Sequence, residues 1–272
     1  MIFEKYQATG NDFLLTKEHL ENPSQTARSI CDRHFGIGGD GLMVPEPSDK
    51  ADIRMRYFNS DGSEAPMCGN GMRCFAKFVV AQKLIDTTRF TVETSGGLIE
   101  LEMHADGDVS LALEPPVMKH DHPDVSSPTT TDEPVLLEAA HESHSLHILT
   151  LGTLHAISVV ESLESIAFEP VGHKLSTHAF FPKDINVNFV RKIDDNTLEI
   201  MTYERGAGAT LSCGTGVAAS AVFMHRKGFV NKHVTVHVPG GTLQVSAEEA
   251  PILKGPAERI ARIDYEGGVH NG

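Results

Sequence analysis

Residues 67–77 read Met67-Cys68-Gly69-Asn70-Gly71-Met72-Arg73-Cys74-Phe75-Ala76-Lys77, and residues 212–222 read Ser212-Cys213-Gly214-Thr215-Gly216-Val217-Ala218-Ala219-Ser220-Ala221-Val222. Each is a Cys-Gly-x-Gly turn running into a helix-forming stretch. The cysteines are 145 residues apart, and neighbouring pairs keep nearly that offset. Thr91-Val92 and Gly96-Gly97 answer to Thr235-Val236 and Gly240-Gly241, Asn59 to Glu204, and Gly10-Asn11 to Gly152-Thr153. A repeat of half the chain is too long for a solenoid unit and reads as two copies of one domain. Two such domains facing each other would set two thiols on opposite sides of one cleft.

That arrangement suits inversion of a carbon centre, in which one group removes a proton from one face and another returns one to the opposite face. A thiol of lowered pKa serves both roles. A cysteine at a helix start meets the positive end of the macrodipole and several unpaired N–H groups, which is expected to lower its pKa. Gly69, Asn70 and Gly71, with Gly214, Thr215 and Gly216, are expected to form two anion sockets for one carboxylate. The alternative for each cysteine is a small buried hydrophobe at a helix start. Cys74 and Cys31 lack mirrored partners and read as core.

The strand and helix pattern repeats as well. Residues 1–7 and 13–16 read as strands, 24–34 as a helix stopped by Gly36, and 52–58 as a strand entering Asn59. A helix from Cys68 to about Leu84 and a hairpin across Gly96-Gly97 follow. The second half gives strands at 146–151, 156–160, 185–190 and 198–204. A helix from Cys213 to about Arg226 stops at Gly228, and a hairpin crosses Gly240-Gly241. Residues 115–134, rich in Pro, Thr, Ser, Asp and His, read as a linker or exposed loop, and 258–265 as a last strand. Periodicity alone gives a duplicated α/β or α+β chain.

Bulk properties exclude some classes. The 272 residues suffice for two domains, and 40 % hydrophobic with 22 % charged residues is globular composition. A net charge of −14 argues against nucleic acid and anionic membranes as partners. No apolar run approaches membrane-spanning length, and the alternating N-terminus reads as a strand rather than a signal peptide. Four cysteines do not make a disulfide scaffold, so a cytoplasmic, reducing compartment is expected. His120-Asp121-His122 and His141, His144 and His147 read as exposed loop histidines, with no metal site. The run from Gly36 to Gly41 follows a helix and lacks a Lys-Ser/Thr ending, so it is not a phosphate loop.

Six ordered blocks carry a family resemblance: Ala8–Phe13, Ile30–Gly36, Phe58–Ala65, Met67–Gly71, Glu204–Gly208 and Ser212–Gly216. They resemble the signature blocks of the diaminopimelate epimerase family across almost the whole chain. The resemblance implies an α/β (α+β) fold of two pseudo-symmetric domains, each a curved sheet around a central helix. The expected domains are 1–116, to which the last strand 258–272 returns, and 117–257. It implies an isomerase without cofactor that interconverts LL- and meso-diaminopimelate, in lysine and cell-wall precursor synthesis. Cys68 and Cys213 would be the two acid–base groups. Glu204 would polarise the substrate or a thiol, and His155 would be a proton-relay candidate. Arg205 would hold a carboxylate by its fork. Asn11, Asn59, Asn186, Arg205 and Thr153 would grip the distal end of the substrate, and Gly69, Asn70, Gly214 and Thr215 would bind its α-carboxylate. The three Asn also suit plain turns.

Three positions depart from the family pattern. Gly152-Thr153-Leu154-His155 stands where the pattern is Gly-Asn-Pro-His, on what reads as a substrate-contacting loop. Ala209 stands where many relatives have an acid, and Gly41 where some have Gln. The first departure keeps another two-cysteine racemase of the fold open, for proline, hydroxyproline or histidine; a non-catalytic thiol protein is the rival from another class. The expected partner is a small amino-acid substrate, and a homodimer is left open.

Overall fold

The opening alternation of Ile2–Ala8 builds strand β1, which pairs antiparallel with β2 (Asn11–Leu15) from Glu4↔Leu15 to Ala8↔Asn11. Thr9 and Gly10 join them with φ of +49° and +89°, the left-handed pair that a two-residue hairpin turn of matching twist requires. The computed structural model describes residues 1–120, 122, 124–126, 129–130 and 133–267. The chain divides into two compact units, Met1–Ala112 with Lys254–Gly272, and Leu113–Leu253.

In the first unit, α1 (Pro23–Cys31) follows β2, then β3 (Gly41–Glu46), β4 (Ile53–Asn59) and the short β5 (Glu64–Ala65). Helix α2 (Gly69–Ala81) precedes β6 (Arg89–Thr94), β7 (Gly97–Met103) and β8 (Val109–Ala112). β2 pairs parallel with β3, β3 antiparallel with β4, β4 parallel with β6, and β6 antiparallel with β7. Each parallel step needs a crossover, and α1 and α2 supply them. α2 packs on β1, β2 and β8. It buries Met72, Phe75, Ala76, Phe78 and Val79, each worth about 1–3 kcal/mol of burial for the larger side chains.

The second unit carries β9 (Lys119–His120), β10 (Thr129–Thr130), β11 (Val135–Ala139), β12 (Glu142–Leu151) and β13 (Thr153–Val159). Then come α3 (Phe168–Ser176), β14 (Asn186–Asp194), β15 (Thr197–Glu204) and β16 (Gly208–Thr210). Helix α4 (Gly214–Arg226), β17 (His233–Val238) and β18 (Gly241–Ser246) complete it, and the unit boundary falls within β19 (Ile252–Gly255). The pairings β12–β13, β13–β14, β14–β15, β15–β17 and β17–β18 repeat the senses of the first unit in order: antiparallel, parallel, antiparallel, parallel, antiparallel. α4 is buried on nearly every side from Val217 to Met224, as an apolar helix must be. The final strand β20 (Glu258–Asp264) pairs with β1, so the last residues belong to the first unit. The unit boundaries fall at Ala112/Leu113 and Leu253/Lys254, a little before positions 116 and 257 expected from sequence.

The structure corrects several sequence expectations. α1 ends at Cys31 rather than His34, because the Asp32 carboxylate accepts from the amides of His34 at 2.7 Å and Phe35 at 2.8 Å. α2 ends at Ala81 rather than near Leu84, because Lys83 takes φ +56° with no glycine to signal it. Strands β3 and β11 and helix α3 were not expected. Described residues of the stretch 115–134 are tied into the fold: Val117 bridges to Thr150, Ser126 N–H donates to Phe180 O, and Lys183 pairs with the buried Asp124 at 3.0 Å. His144 and His147 lie on β12 rather than in a loop, and His147 packs on Phe223 with ring centroids 4.4 Å apart. Asp121, in the His120-Asp121-His122 reading, lies outside the described residues. No described helix is long and apolar enough to cross a membrane.

Candidate active site

Cys68 is the N-cap of α2 and Cys213 the N-cap of α4; both have extended backbone, and neither side chain caps its own helix. The first helical hydrogen bonds run from Met72 N–H to Cys68 O and from Val217 N–H to Cys213 O. The amides of 69–71 and 214–216 therefore lie ahead of the helical ladder, at its positive end. Each glycine in the third helical position is closely approached by a side chain from a neighbouring strand. A Cβ on Gly71 would lie 1.9 Å from Met43 Cε, and one on Gly216 would lie 2.2 Å from Asn188 Oδ1.

Around Cys68 the β1–β2 hairpin supplies the partner. Cys68 Sγ lies 3.7 Å from Asn11 Oδ1, and Asn70 Nδ2 lies 3.4 Å from the same oxygen. Asn11 Nδ2 donates to Asp40, which also accepts from the Asp12 amide at 3.1 Å. Arg33 bridges Asp12 at 2.6 Å and Asp40 at 2.8 Å, and Lys5 reaches Asp12 at 2.8 Å. Burial opposes charge on Asp12, but its bonds to Arg33 and Lys5 outweigh it and bring the carboxyl down to about 2. Arg73, fully buried one turn into α2, donates to Thr9 Oγ1 at 3.0 Å and to Pro256 O at 3.1 Å, fixing the turn that presents Asn11. Asn59 is held locally, its Nδ2 donating to Ser63 Oγ at 3.0 Å.

Around Cys213 the second unit gathers more of the expected residues. Glu204 ends β15 beside the Cys213 thiol and accepts from Thr210 Oγ1 at 2.6 Å. Burial raises the Glu204 pKa. Cys213 departs from expectation: burial, with the Glu204 carboxylate beside it, pushes its thiol pKa up despite the helix start and a bond from the Gly216 amide. Thr215 Oγ1 lies 3.6 Å from Cys213 Sγ and 3.2 Å from His155 Nε2. His155 is fully buried, and burial first, then Arg205, lowers its pKa to about 3. Asn186 Oδ1 accepts from the Arg205 amide at 2.9 Å, and Arg205 Nη2 lies 3.4 Å from Thr153 Oγ1. Thr153 and His155 stand on β13, not on a loop.

Cys74 and Cys31 are core: burial raises both thiols, Cys31 to about 12. Sequence reasoning missed Asp40, Arg33, Arg73, Thr210 and Asn188. Asn188 shares one face of β14 with Asn186, but what its amide meets there is set by strand pairing rather than by local pattern. No three His, Cys, Asp or Glu side chains gather closely enough to hold a metal ion among the described residues.

Comparisons with known proteins agree with this architecture. The family model described as diaminopimelate epimerase matches residues 3–119 and, separately, 148–260. A diaminopimelate epimerase of Methanococcus maripaludis is 39 % identical over 99 % of both chains. One of Caldanaerobacter subterraneus is also 39 % identical, over 98 % of this chain and 100 % of its own. The crystal structure of a probable proline racemase from Agrobacterium radiobacter shares the fold at TM-score 0.72 and 14 % identity, covering 97 % of this chain and 92 % of that one. The chain belongs to the diaminopimelate epimerase family.

Proposed function

We propose that the protein is an isomerase that epimerises LL-diaminopimelate to the meso form with two thiols and no cofactor, serving lysine and peptidoglycan precursor synthesis. The observation that carries this reading is the placement of Cys68 and Cys213 at the starts of two buried helices, each sulfur beside a polar acceptor, Asn11 Oδ1 for Cys68 and Glu204 for Cys213. Full-length relatives named for the same activity support it.

In the proposed reaction one cysteine, as thiolate, takes the α-proton, so that a C–H bond breaks and an S–H bond forms. The other delivers its own proton to the opposite face, and the negative charge ends on its sulfur. The amides of residues 69–71 and 214–216, at the two helix starts, stabilise charge developing on the adjacent carboxylate. Glu204 takes up the proton of Cys213 when that sulfur must become a thiolate; a carboxyl raised by burial is matched to that task. Asn11, Asn59, Asn186, Thr153 and Arg205 hold the distal amino-acid end, Arg205 by its fork. The Thr153-Leu154 sequence favours one second reading, a racemase for a different amino acid.

The test is exchange of substrate α-hydrogen in heavy water by purified protein against diaminopimelate, proline, hydroxyproline and histidine. Exchange with diaminopimelate alone is expected. Exchange only with a cyclic or aromatic amino acid moves the assignment to that substrate, and none with any of the four overturns the isomerase reading.

A further inference from the structure

The polar groups behind Cys213 form a chain whose direction is fixed by Asn188. This residue is fully buried on β14. Its Nδ2 lies 3.2 Å from Ala156 O and 3.2 Å from His155 Nδ1, while Thr202 Oγ1 lies 3.0 Å from its Oδ1. A backbone carbonyl only accepts, so the atom facing Ala156 O is the amide nitrogen, which sets the orientation of the Asn188 side chain. One amide hydrogen goes to Ala156 O and the other to His155 Nδ1. That ring nitrogen is then an acceptor and carries no proton.

We propose that Asn188 is a positioning residue that locks His155 as the neutral Nε2–H tautomer, so that every hydrogen bond from Asn188 through His155 and Thr215 donates toward the Cys213 sulfur. The His155 Nε2–H donates to Thr215 Oγ1 across 3.2 Å, and the one Thr215 hydroxyl hydrogen turns to Cys213 Sγ, 3.6 Å away. The low basicity of the buried imidazole keeps it neutral near pH 7. His155 therefore orients a donor and does not take the substrate proton. When Cys213 loses its proton toward Glu204, the thiolate already has the Thr215 hydroxyl and the Gly216 amide aimed at it. Beneath Gly71 the corresponding place is filled by Met43, so the device serves Cys213 alone.

This inference rests on the epimerase reading, and its test has a readout separate from turnover. In the full chain labelled with 15N-histidine, the His155 signals are assigned by their loss in His155→Gln. Their expected pattern is a protonated Nε2 and a bare Nδ1 at both pH 6 and pH 8. An Nδ1–H tautomer or an imidazolium at either pH overturns the proposal, even in an active enzyme. Absence of α-hydrogen exchange by the wild type would instead sink the epimerase reading and leave the tautomer assignment standing. Asn188→Asp places an acceptor opposite Nδ1 and reverses the chain. Its kcat is expected to fall about 10²-fold with little change in KM, the scale of losing one anion-stabilising donor. A folded Asn188→Asp enzyme with unchanged kcat overturns the proposal; should that variant not fold, the wild-type spectrum decides.

Discussion

Cys68 Sγ lies 3.7 Å from Asn11 Oδ1, and that carbonyl is aimed at the thiol because Asp40 holds the nitrogen of the same amide. An amide has one acceptor end and one donor end. By engaging the donor end, Asp40 leaves the acceptor end facing the sulfur. Cys213, by contrast, has a carboxylate on one side and a hydroxyl on the other. The two thiols thus sit in different hydrogen-bonding environments despite matching backbones.

Asp40→Ala should release the Asn11 amide to turn and lower kcat by roughly 10- to 10²-fold, the cost of mispositioning a reacting group. The thiols and both helices are untouched, so circular dichroism should match the wild type. Unchanged kcat would show that the orientation of Asn11 is irrelevant to Cys68.

Cys68→Ala and Cys213→Ala should each lower epimerisation by roughly 10²–10⁴-fold, the contribution of a positioned acid or base. The fold should survive, because Ala suits both helix starts sterically and no disulfide is lost. Serine should rescue neither, since a hydroxyl is far less acidic than a thiol. Near-normal turnover by either variant would rule out a two-thiol mechanism.

Asp12→Asn should destabilise the protein near neutral pH, with a definite pH signature. The Asp12 carboxyl falls from 3.8 to about 2 in the folded state. A lowered carboxyl contributes stability that is present above the unfolded value and is lost as pH falls through the folded one. The shift sets an upper limit of about 2.4 kcal/mol at 1.36 kcal/mol per unit. Arg33 is half exposed, and screening brings the expected effect nearer 1 kcal/mol. Denaturant melts should show the wild type and the variant separated at pH 7 and converging between about pH 4 and pH 2. A difference independent of pH would mean that the ion pairs are not its source.

Thr153→Asn should leave the KM for diaminopimelate unchanged or lower it. Thr153 Oγ1 faces Arg205 Nη2 at 3.4 Å, and an Asn carbonyl reaches further toward the same guanidinium. A large rise in KM would show that this strand end is shaped for a different ligand.

What the sequence disclosed was the part written as local pattern. The duplicated Cys-Gly-x-Gly turns marked both helix starts, and Gly228, at φ +75°, marked the end of α4. Lys83 takes a similar φ without being glycine, so the end of α2 left no mark. Thr153, Asn186, Glu204 and Arg205 entered through the family resemblance, and the structure sets them at strand ends and a turn. Asp40 and Asn188 were not legible in the sequence, because their roles depend on which side chain another strand brings opposite them. Strand pairing sets that, as when the parallel register of β13 and β14 lays Asn188 beside Ile157. Strand β3 hid behind a glycine-rich run, and α3 carries Pro170 and Gly172, both poor helix formers.

The two helix-start glycines should respond differently to the same substitution. Alanine improves intrinsic helix propensity by about 1 kcal/mol at either site, so propensity cannot separate them. At Gly71 the new methyl would meet Met43 Cε, the far end of a flexible side chain that can swing aside. At Gly216 it would meet Asn188 Oδ1 at 2.2 Å and Cys213 Sγ at 3.3 Å. Asn188 cannot yield easily, because Ala156, His155 and Thr202 hold it. Gly71→Ala should therefore be nearly neutral in stability. Gly216→Ala should cost about 1–3 kcal/mol, the usual penalty of overpacking, and should lose at least tenfold more kcat than Gly71→Ala as the chain behind Cys213 is displaced. Parallel thermal melts and kinetics on the two variants decide it. Equal losses at both sites would mean that Asn188 yields as readily as Met43 and is not rigidly held.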